Sequence, residues 1–498
     1  MKHFHIVTLT IATIVTFSCR KDFSTVPSYG NLTFSKDTVF LDTIFTNIGS
    51  STYNLKVYNN SKDDITIPEI TLENGENSNY RLNIDGIPGK SFSDIDVLAN
   101  DSLFVFIETT IDFDEISDPL YTDKILFDNG NNQQNVDLVT LVQDATFIFP
   151  SKNELNEIET ITFDEETIIQ GRYLNDDELN FTNEKPYVIY GYAAVASNKT
   201  LTIEAGTRLF FHNNSGLIID TGASLKVNGT VDEKVTFQGD RLEHFFEGIP
   251  AQWGTIWLRQ GSIDHEINHT QIKNSTTGIL INGTSTTTTL KIENSEIYNA
   301  SNYGILAREA NIEGNNLVIG NAGLNSLAST TRGTYNFTHC TFANYWTEDT
   351  RTSPAVSFNN SFSLFGEDEE IANNSSEINF INCIIEGNNN IEFLITSDEE
   401  TVLNYNINNS LIKFNDISGI HDDNSIMDFN NTEHYQDNIF NGIPDFKDTT
   451  KNEFLIGVNS DAIDKAISTE ISTDILNTSR TPTIDIGAYQ HTTFEEEE

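Results

Sequence analysis

The sequence predicts an all-β protein in which a β-sandwich precedes a parallel β-helix. Two observations indicate the β-helix: short alternating strands recur in the second half of the chain, and small polar pairs follow most of them. The leading residues of these pairs lie 20 to 27 residues apart. Stacked coils of strands have repeats of this length, because one coil cannot bury its own apolar face. The seven pairs are Asn274-Ser275, Asn294-Ser295, Asn315-Asn316, His339-Cys340, Asn360-Ser361, Asn382-Cys383 and Asn409-Ser410.

The first coils show a shorter period within each repeat. Ile203, Phe211, Ile219 and Val227 are each eight residues apart, and each lies in a short apolar strand. Three such strands make a coil of about 24 residues, so we expect three parallel faces joined by tight turns. The segment 187–490 would then hold roughly 13 turns at about 22 residues per turn.

The part of the chain before the repeats has a different pattern. Residues 31–149 alternate between strands such as 53–58 and 103–107 and polar turns such as 59–64. Seven or so strands in about 120 residues are typical of a β-sandwich. The order of strand, Asn-rich turn and strand resembles immunoglobulin-like domains of secreted bacterial proteins, which implies an immunoglobulin-like β-sandwich. Residues 150–186 are rich in Glu, Asp and Asn, and we expect them to be a linker or an entry segment of the β-helix.

The N-terminus carries a predicted export signal. Lys2 precedes a mainly apolar run at 6–17, which is too short to span a bilayer and is typical of a signal-peptide core. Thr16-Phe17-Ser18-Cys19 resembles the bacterial lipobox. The resemblance implies that residues 1–19 are a lipoprotein signal peptide and that Cys19 is lipidated. An ordinary cleaved signal peptide with an incidental cysteine is the alternative.

The residues after Cys19 suggest a destination. Residues 20–30 form a short polar tether, and its first residues, Arg20-Lys21-Asp22, resemble the start of exported lipoproteins of Bacteroidetes. The resemblance implies an outer-membrane protein that contacts the membrane through its lipid anchor and faces the cell exterior or the periplasm.

The charge of the chain excludes one class of partner. There are 74 acidic and 28 basic residues, a formal net charge of −46, so the surface repels nucleic acid and we expect no nucleic-acid partner. The acidic runs 367–370 and 398–400 lack the alternating ligand spacing of a calcium loop. We therefore expect no cofactor and no metal site, with weak calcium binding as the alternative. The last residues, 491–498, read as an acidic tail.

Several motifs from about 200 to 490 resemble the β-helix lipoproteins of Bacteroidetes, which have a pectate-lyase-like fold. They are LTIEAGT at 201–207, GASLKVNGT at 222–230, FQGDR at 237–241, QWGTIWL at 252–258, SDAIDKA at 460–466, Arg480 and DIGAY at 485–489. The resemblance implies a right-handed parallel β-helix, in agreement with the usual handedness of parallel crossovers. It does not imply a particular activity, because one fold hosts many functions.

The two cysteines within the repeats occupy equivalent positions. If Cys340 and Cys383 lie two turns apart, stacking separates them by roughly 9.6 Å. A disulfide needs Cα atoms within about 7 Å. We therefore expect two free buried thiols.

Candidate ligand-binding residues cluster before and within one coil. Arg241, His244, Trp253 and Trp257 could present two aromatic faces and two donors to a sugar, although tryptophans in such positions also pack in cores. A glycosidase needs a carboxylate pair, and Asp422-Asp423 is the nearest likeness, although a solvated turn explains it as well.

A polysaccharide lyase needs a basic residue near the substrate carboxylate. Lys273, Lys291 and Arg308 occur in successive coils, but they do not share one register. No catalytic residue can therefore be assigned. We expect a surface that binds an extended ligand, a polysaccharide or a surface protein. The alternatives are a polysaccharide lyase or glycoside hydrolase, and a structural envelope protein.

Overall fold

The computed structural model describes residues 24–163, 168–283, 289–359, 361–362, 370–371, 376–397 and 403–494. The chain divides into two compact units, Met1–Asp144 and Ala145–Glu498. The predicted signal peptide at 1–19, Cys19, the residues 20–23 and most of both acidic runs lie outside the described residues. In the described part of the chain, no helix is long and apolar enough to span a bilayer.

The N-terminal unit is a sandwich of two β-sheets. One sheet contains Val26–Pro27, Thr38–Phe45, Ile65–Leu72, Ser91–Val97, Leu120–Phe127 and Gln134–Gln143, and the other contains Thr33–Phe34, Tyr53–Asn59, Tyr80–Ile84, Ile87–Gly89 and Asp101–Thr109. Inward residues of both sheets form one core, as the alternation of Leu103, Val105 and Ile107 with exposed Phe104 and Phe106 illustrates. The predicted β-sandwich is therefore confirmed.

The C-terminal unit is a parallel β-helix with three faces. Face 1 contains Ile168–Tyr173, Tyr192–Val195, Gly216–Ile219, Ile256–Leu258, Thr277–Asn282, the first parts of Tyr303–Asn315 and Asn325–Thr338, Val356–Phe358 and Phe393–Ile395. Face 2 contains Asn180–Phe181, Thr200–Ile203, Ser224–Asn228, His265–Asn268, Thr289–Glu293, the second parts of Tyr303–Asn315 and Asn325–Thr338, Ser376–Ile381, Leu403–Asn408 and Tyr435–Gln436.

Face 3 is a sheet that has eleven strands within the described residues. They are Thr146–Ile148, Tyr187–Ile189, Arg208–Phe211, Val235–Gly239, Thr270–Lys273, Glu296–Ala300, Val318–Ala322, Thr341–Asn344, Ile384–Gly387, Leu411–Ile412 and Ile439–Phe440. In the described part of this unit, three antiparallel strand pairings accompany the parallel ones: Thr160–Thr162 with the face 1 strand Ile168–Tyr173, Ser361–Phe362 with Glu370–Ile371, and Phe446–Asp448 with Glu453–Ile456.

Inward residues of the three faces stack into one continuous core. Ile203 and Val227 lie on face 2, Phe211 on face 3 and Ile219 on face 1, and all four are fully buried. The eight-residue period thus correctly predicts one inward residue per face. Val227 pairs in register with Ile267 of the neighbouring coil, so β-branched apolar residues pack against each other.

The number and limits of the coils differ from the expectation. The first strand of face 1 begins at Ile168, inside the segment 150–186 that we expected to be a linker or an entry segment, and the last strand of face 3 ends at Phe440. Face 1 holds nine strands, so the described residues make nine full coils rather than roughly 13. Inserted loops lengthen single coils, as between Ile219 and Ile256, and residues 441–494 leave the coil altogether.

The polar pairs lie at two different corners. Asn294, Asn316, His339, Asn382 and Asn409 have positive φ at the corner between faces 2 and 3, and the asparagine side chains tolerate this left-handed backbone. Their amides form a partial ladder, because Asn316 donates to Asn294 Oδ1 at 3.0 Å.

Three of the seven pairs depart from the single register that we expected. Asn274 lies at the corner between faces 3 and 1, together with Asn299 and Asn321, which also have positive φ. In the pair Asn315-Asn316, the corner residue is Asn316. Ser361 belongs to an antiparallel strand pair instead of a corner, and Asn360 lies outside the described residues.

The C-terminal segment 441–494 folds back over the outer surface of face 3. Phe454 packs so closely on Gly320 that a Cβ there would lie 2.2 Å from the ring. Tyr489 donates a hydrogen bond to Glu296, 193 residues earlier. Arg480 is 1% exposed and donates to Asn316 Oδ1 and to the carbonyls of Thr473, Asp485, Gly487 and Ala488. The motifs near 460–466 and 485–489 therefore form a cover instead of further coils.

Candidate functional site

The structure does not bring the four predicted sugar-binding residues together. Trp253 is 1% exposed in the coil interior, stacks on Phe211 at 4.4 Å and donates its indole N–H to the Lys273 carbonyl. Trp257 points outward from face 1 and packs edge-on against Phe163. The tryptophans thus have packing roles, and a patch that contains both of them is not formed.

The other two residues of that patch lie on the long loop that follows the face 3 strand Val235–Gly239. Arg241 forms an ion pair with Glu243 and stacks over Phe246, with 3.9 Å between the guanidinium and the ring centroid. His244 is exposed and lies 3.2 Å from Glu247. Of the four residues, only His244 lines a cleft whose residues come from face 3 and from three loops.

This cleft, with a volume of about 770 Å³, lies on the outer surface of face 3. Its floor consists of outward residues from two adjacent coils: Gln271 and Lys273 on one strand, and Glu296 and Tyr298 on the next. Because strands alternate their side chains, these positions are fixed by the inward burial of Ile272 and Ile297 between them. The coil therefore presents two polar pairs side by side.

Three separate segments form the walls of the cleft, and each is held by an asparagine of the corner between faces 3 and 1. Asn274 donates to the Glu247 carbonyl on the loop at 244–250. Asn299 accepts from the Asn452 amide at 3.2 Å, and Asn321 donates to Asn452 Oδ1 at 2.8 Å. The asparagines at this corner thus bind the inserted loop and the C-terminal segment to the β-helix through hydrogen bonds.

The third wall, at 345–348, is supported by a buried ion pair. Asn321 Oδ1 accepts from the backbone N–H of Tyr345. The side chains of Arg351 and Glu392 are completely buried and form a bidentate pair with distances of 2.5 and 2.8 Å. Arg351 also donates to the Asn344 carbonyl, directly before the wall. A buried ion pair of this kind fixes the loop path, because either partner alone would be an uncompensated charge.

The charges on the cleft floor are only partly paired. Glu296 accepts from Lys234 at 2.9 Å, from Tyr489 at 3.1 Å and from Gln271 at 3.3 Å. Lys273, by contrast, has no carboxylate oxygen within 4.0 Å in the described part of the chain. Its ammonium therefore remains available to an acceptor on a ligand.

Two tyrosines in the cleft stay protonated. Burial raises the pKa of Tyr298 and of Tyr489 well above the usual range, and the Glu296 charge acts in the same direction on both. Both phenols are therefore neutral hydrogen-bond donors at physiological pH. The cleft thus offers amide and ammonium donors together with aromatic surface from Tyr345 and Trp346.

The remaining charged candidates lie elsewhere. Lys291 is on face 2 and pairs with Glu293 at 3.1 Å, and Arg308 is on face 1, where burial lowers its pKa. Of the three basic residues Lys273, Lys291 and Arg308, Lys273 is therefore the one that lines the cleft. Asp422 and Asp423 are exposed in a turn that follows a face 3 strand, as expected for a solvated turn.

No group of three or more His, Cys, Asp and Glu side chains is placed to hold a metal ion among the described residues. The first acidic run lies at 367–370, and the structure describes only the backbone of its last residue; the second, at 398–400, lies wholly outside the described residues. The expectation of no cofactor, with weak calcium binding there as the alternative, stays a prediction.

No protein-family model and no curated protein matches this chain. Among solved structures, part of the chain is similar to a family 123 glycoside hydrolase from Clostridium perfringens, whose structural analysis concerned glycolipid glycan hydrolysis. The sequence identity is 12% and the TM-score 0.16, over 23% of this chain and 30% of that chain. A likeness this weak carries no argument about the function of this protein.

Proposed function

We propose that the β-helix binds an extended glycan in the cleft on face 3. The observation that supports this proposal is the cleft floor, where Gln271 and Lys273 of one coil lie beside Glu296 and Tyr298 of the next, and Lys273 has no ion-pair partner among the described residues. Sugar hydroxyls accept and donate hydrogen bonds, and aromatic rings such as those of Tyr345 and Trp346 offer apolar surface to pyranose rings.

A binding function fits this arrangement better than catalysis. Glu296 is already held by Lys234, Gln271 and Tyr489, so its carboxylate is not free to act as a base. The phenol of Tyr298 would lose its proton only with difficulty, because burial raises its pKa. Cleavage by a lyase or a hydrolase is the alternative that the experiment below distinguishes, and a protein ligand is another of its outcomes.

The test is a glycan panel applied to the full chain, with retention and product release measured in the same samples. Binding predicts retention of one glycan class without new reducing ends and without the ultraviolet absorbance of unsaturated products. Release of either product would replace the binding function with an enzymatic one. Retention of no glycan, combined with capture of a defined surface protein, would assign the cleft to a protein ligand.

We also propose that the protein is an exported lipoprotein attached to the outer membrane through Cys19, in line with its resemblance to β-helix lipoproteins of Bacteroidetes. Support comes from the apolar run at 6–17 and the lipobox-like residues that end at Cys19. Metabolic labelling with a fatty-acid analogue should label the wild-type chain but not Cys19→Ser. Protease added to intact cells would then distinguish the exterior from the periplasm, and equal labelling of both chains would contradict the anchor.

A further inference from the structure

The two core cysteines are closer neighbours than the repeat length implies. Thr338 pairs with Ile381 and Thr341 pairs with Ile384, so Cys340 and Cys383 are aligned on directly adjacent coils. The two cysteines lie 43 positions apart in the sequence, and this interval contains the antiparallel pair Ser361–Phe362 and Glu370–Ile371. Both are free thiols, as expected, but the predicted separation of two turns is wrong, because they lie on adjacent coils.

Each of the two thiols donates a hydrogen bond to a backbone carbonyl in the preceding coil. Both side chains are fully buried at the corner between faces 2 and 3. Cys340 Sγ donates to the Gly314 carbonyl in the preceding coil, at 3.3 Å. Cys383 Sγ donates to the Phe337 carbonyl at 3.4 Å, and Phe337 belongs to the coil that contains Cys340. The Cys383 thiol thus points toward the coil of the other cysteine.

The spacing of adjacent coils suits a covalent bond between them. Neighbouring strands lie about 4.8 Å apart, and disulfides form between residues whose Cα atoms are about 4.4–6.8 Å apart. We propose that Cys340 and Cys383 form a disulfide that joins the two coils when the chain folds in an oxidising environment. The pair would then be a modification site in the interior of the β-helix.

The chemistry requires an oxidant of the disulfide class, either a small molecule such as oxidised glutathione or a protein disulfide. One cysteine thiolate attacks the oxidant, forms a mixed disulfide and releases one thiol. The second cysteine thiolate then displaces the other half of the oxidant as a thiol. In total, the two cysteines lose two protons and two electrons, and the oxidant is reduced to two thiols.

The bond has to form before the coils close. In the folded chain no oxidant reaches the corner, and burial raises the pKa of the Cys340 thiol well above its usual range, which suppresses the thiolate. An oxidising compartment retains such bonds, so their presence in cells depends on the export proposed above. The test in solution does not depend on export.

The experiment refolds the full chain carrying Cys19→Ser, so that only the two core thiols can react. The chain is unfolded in denaturant with reductant and then refolded with a mixture of oxidised and reduced glutathione. Free thiols are titrated in denaturant, and proteolytic peptides are identified by mass spectrometry before and after reduction. The matched controls are Cys340→Ser and Cys383→Ser, because Ser295 and Ser410 occupy the same corner position in other coils.

The expected result is complete loss of both titratable thiols and a peptide that links Cys340 to Cys383 and separates on reduction. Each serine variant should keep one thiol and give no such peptide. Recovery of refolded protein with two free thiols would overturn the proposal. The same holds if only glutathione adducts or links between two chains are found.

Discussion

The outer surface of face 3 has two parts that differ in what lies on them. From Val318 onward, outward residues such as Val318, Ala343 and Ile384 are buried under the C-terminal segment. In the two strands before Glu296, the outward residues are the half-buried polar side chains of Gln238, Gln271 and Lys273. Both parts are built on the same coil with the same register. The segment that folds back, and not the coil, therefore decides which outward residues can meet a ligand.

The difference is also visible in composition. Where the cover lies on the sheet, a strand is buried on both sides, as in Val318–Ala322, in which every residue is buried. Where the sheet is uncovered, fully buried inward residues alternate with half-buried polar ones, as in Thr270–Lys273. Continuous burial on both sides is typical of strands covered on two faces, whereas alternation is typical of strands with one solvated face.

The largest change should come from removing the central contact of the cover. Arg480→Ala would leave Asn316 Oδ1 and four carbonyls without their donor. Because these acceptors are buried and their donor is charged, the free energy of unfolding should fall by about 3 kcal/mol. Chemical unfolding measures this loss. Arg241→Ala, on the exposed loop, should change the unfolding midpoint little. An equal effect of both variants would contradict the role of the cover.

Acid should weaken the covered part through His339. Burial and the Arg480 charge lower its pKa to about 3, whereas an unfolded histidine has a pKa of about 6.5. Between these values the unfolded chain binds the extra proton, so stability falls as the pH drops from about 6.5 to about 3. At pH 4.5 the loss from this residue is roughly 2 to 3 kcal/mol.

His339→Asn should reduce this acid sensitivity, because asparagine occupies the same corner position at Asn316 and Asn382. Unfolding midpoints at pH 7 and pH 4.5 give the comparison. The exposed His244 provides the control, since His244→Asn should leave the difference between the two pH values unchanged. If His339→Asn and the wild type lose the same stability on acidification, the buried neutral histidine is not the cause.

A smaller change should come from the contact between Gly320 and Phe454. A Cβ in Gly320→Ala would lie 2.2 Å from the ring, so the ring or the hairpin at 446–456 must move, at a cost of roughly 1–3 kcal/mol. Gln238→Ala, at the equivalent outward position in the uncovered part, should cost less than about 0.5 kcal/mol. Thermal unfolding of both variants measures the difference. Equal shifts of the unfolding midpoint would show that the C-terminal segment does not pack tightly against the sheet.

The sequence predicts the interior of the coil better than its exterior. Ile203, Phe211, Ile219 and Val227 follow a period that each coil must obey to bury its own strands, so local alternation is sufficient to find them. The walls of the cleft depend on contacts between residues far apart, such as Tyr489 with Glu296, which no period encodes. Glu296 and Tyr298 were missed for this reason, although their outward positions follow from the alternation around Ile297.

Inserted segments explain the errors of register. The interval of 43 residues from Cys340 to Cys383 equals two ordinary repeats, but the structure places it in a single coil with an antiparallel strand pair inside it. Asn274 carries the same residue pair as Asn294, yet it lies at another corner, because asparagine suits any left-handed turn. Composition alone cannot distinguish one corner from another.

The measurement that tests glycan binding in the uncovered cleft most directly compares two lysines. Lys273→Ala removes the unpaired ammonium from the cleft floor, and Lys291→Ala removes one that pairs with Glu293 on face 2. With the glycan that the wild type retains, Lys273→Ala should bind at least about tenfold more weakly, because a charge-assisted hydrogen bond is lost. Lys291→Ala should bind like the wild type. Unchanged binding by Lys273→Ala, or an equal loss in both variants, would contradict a ligand site in this cleft.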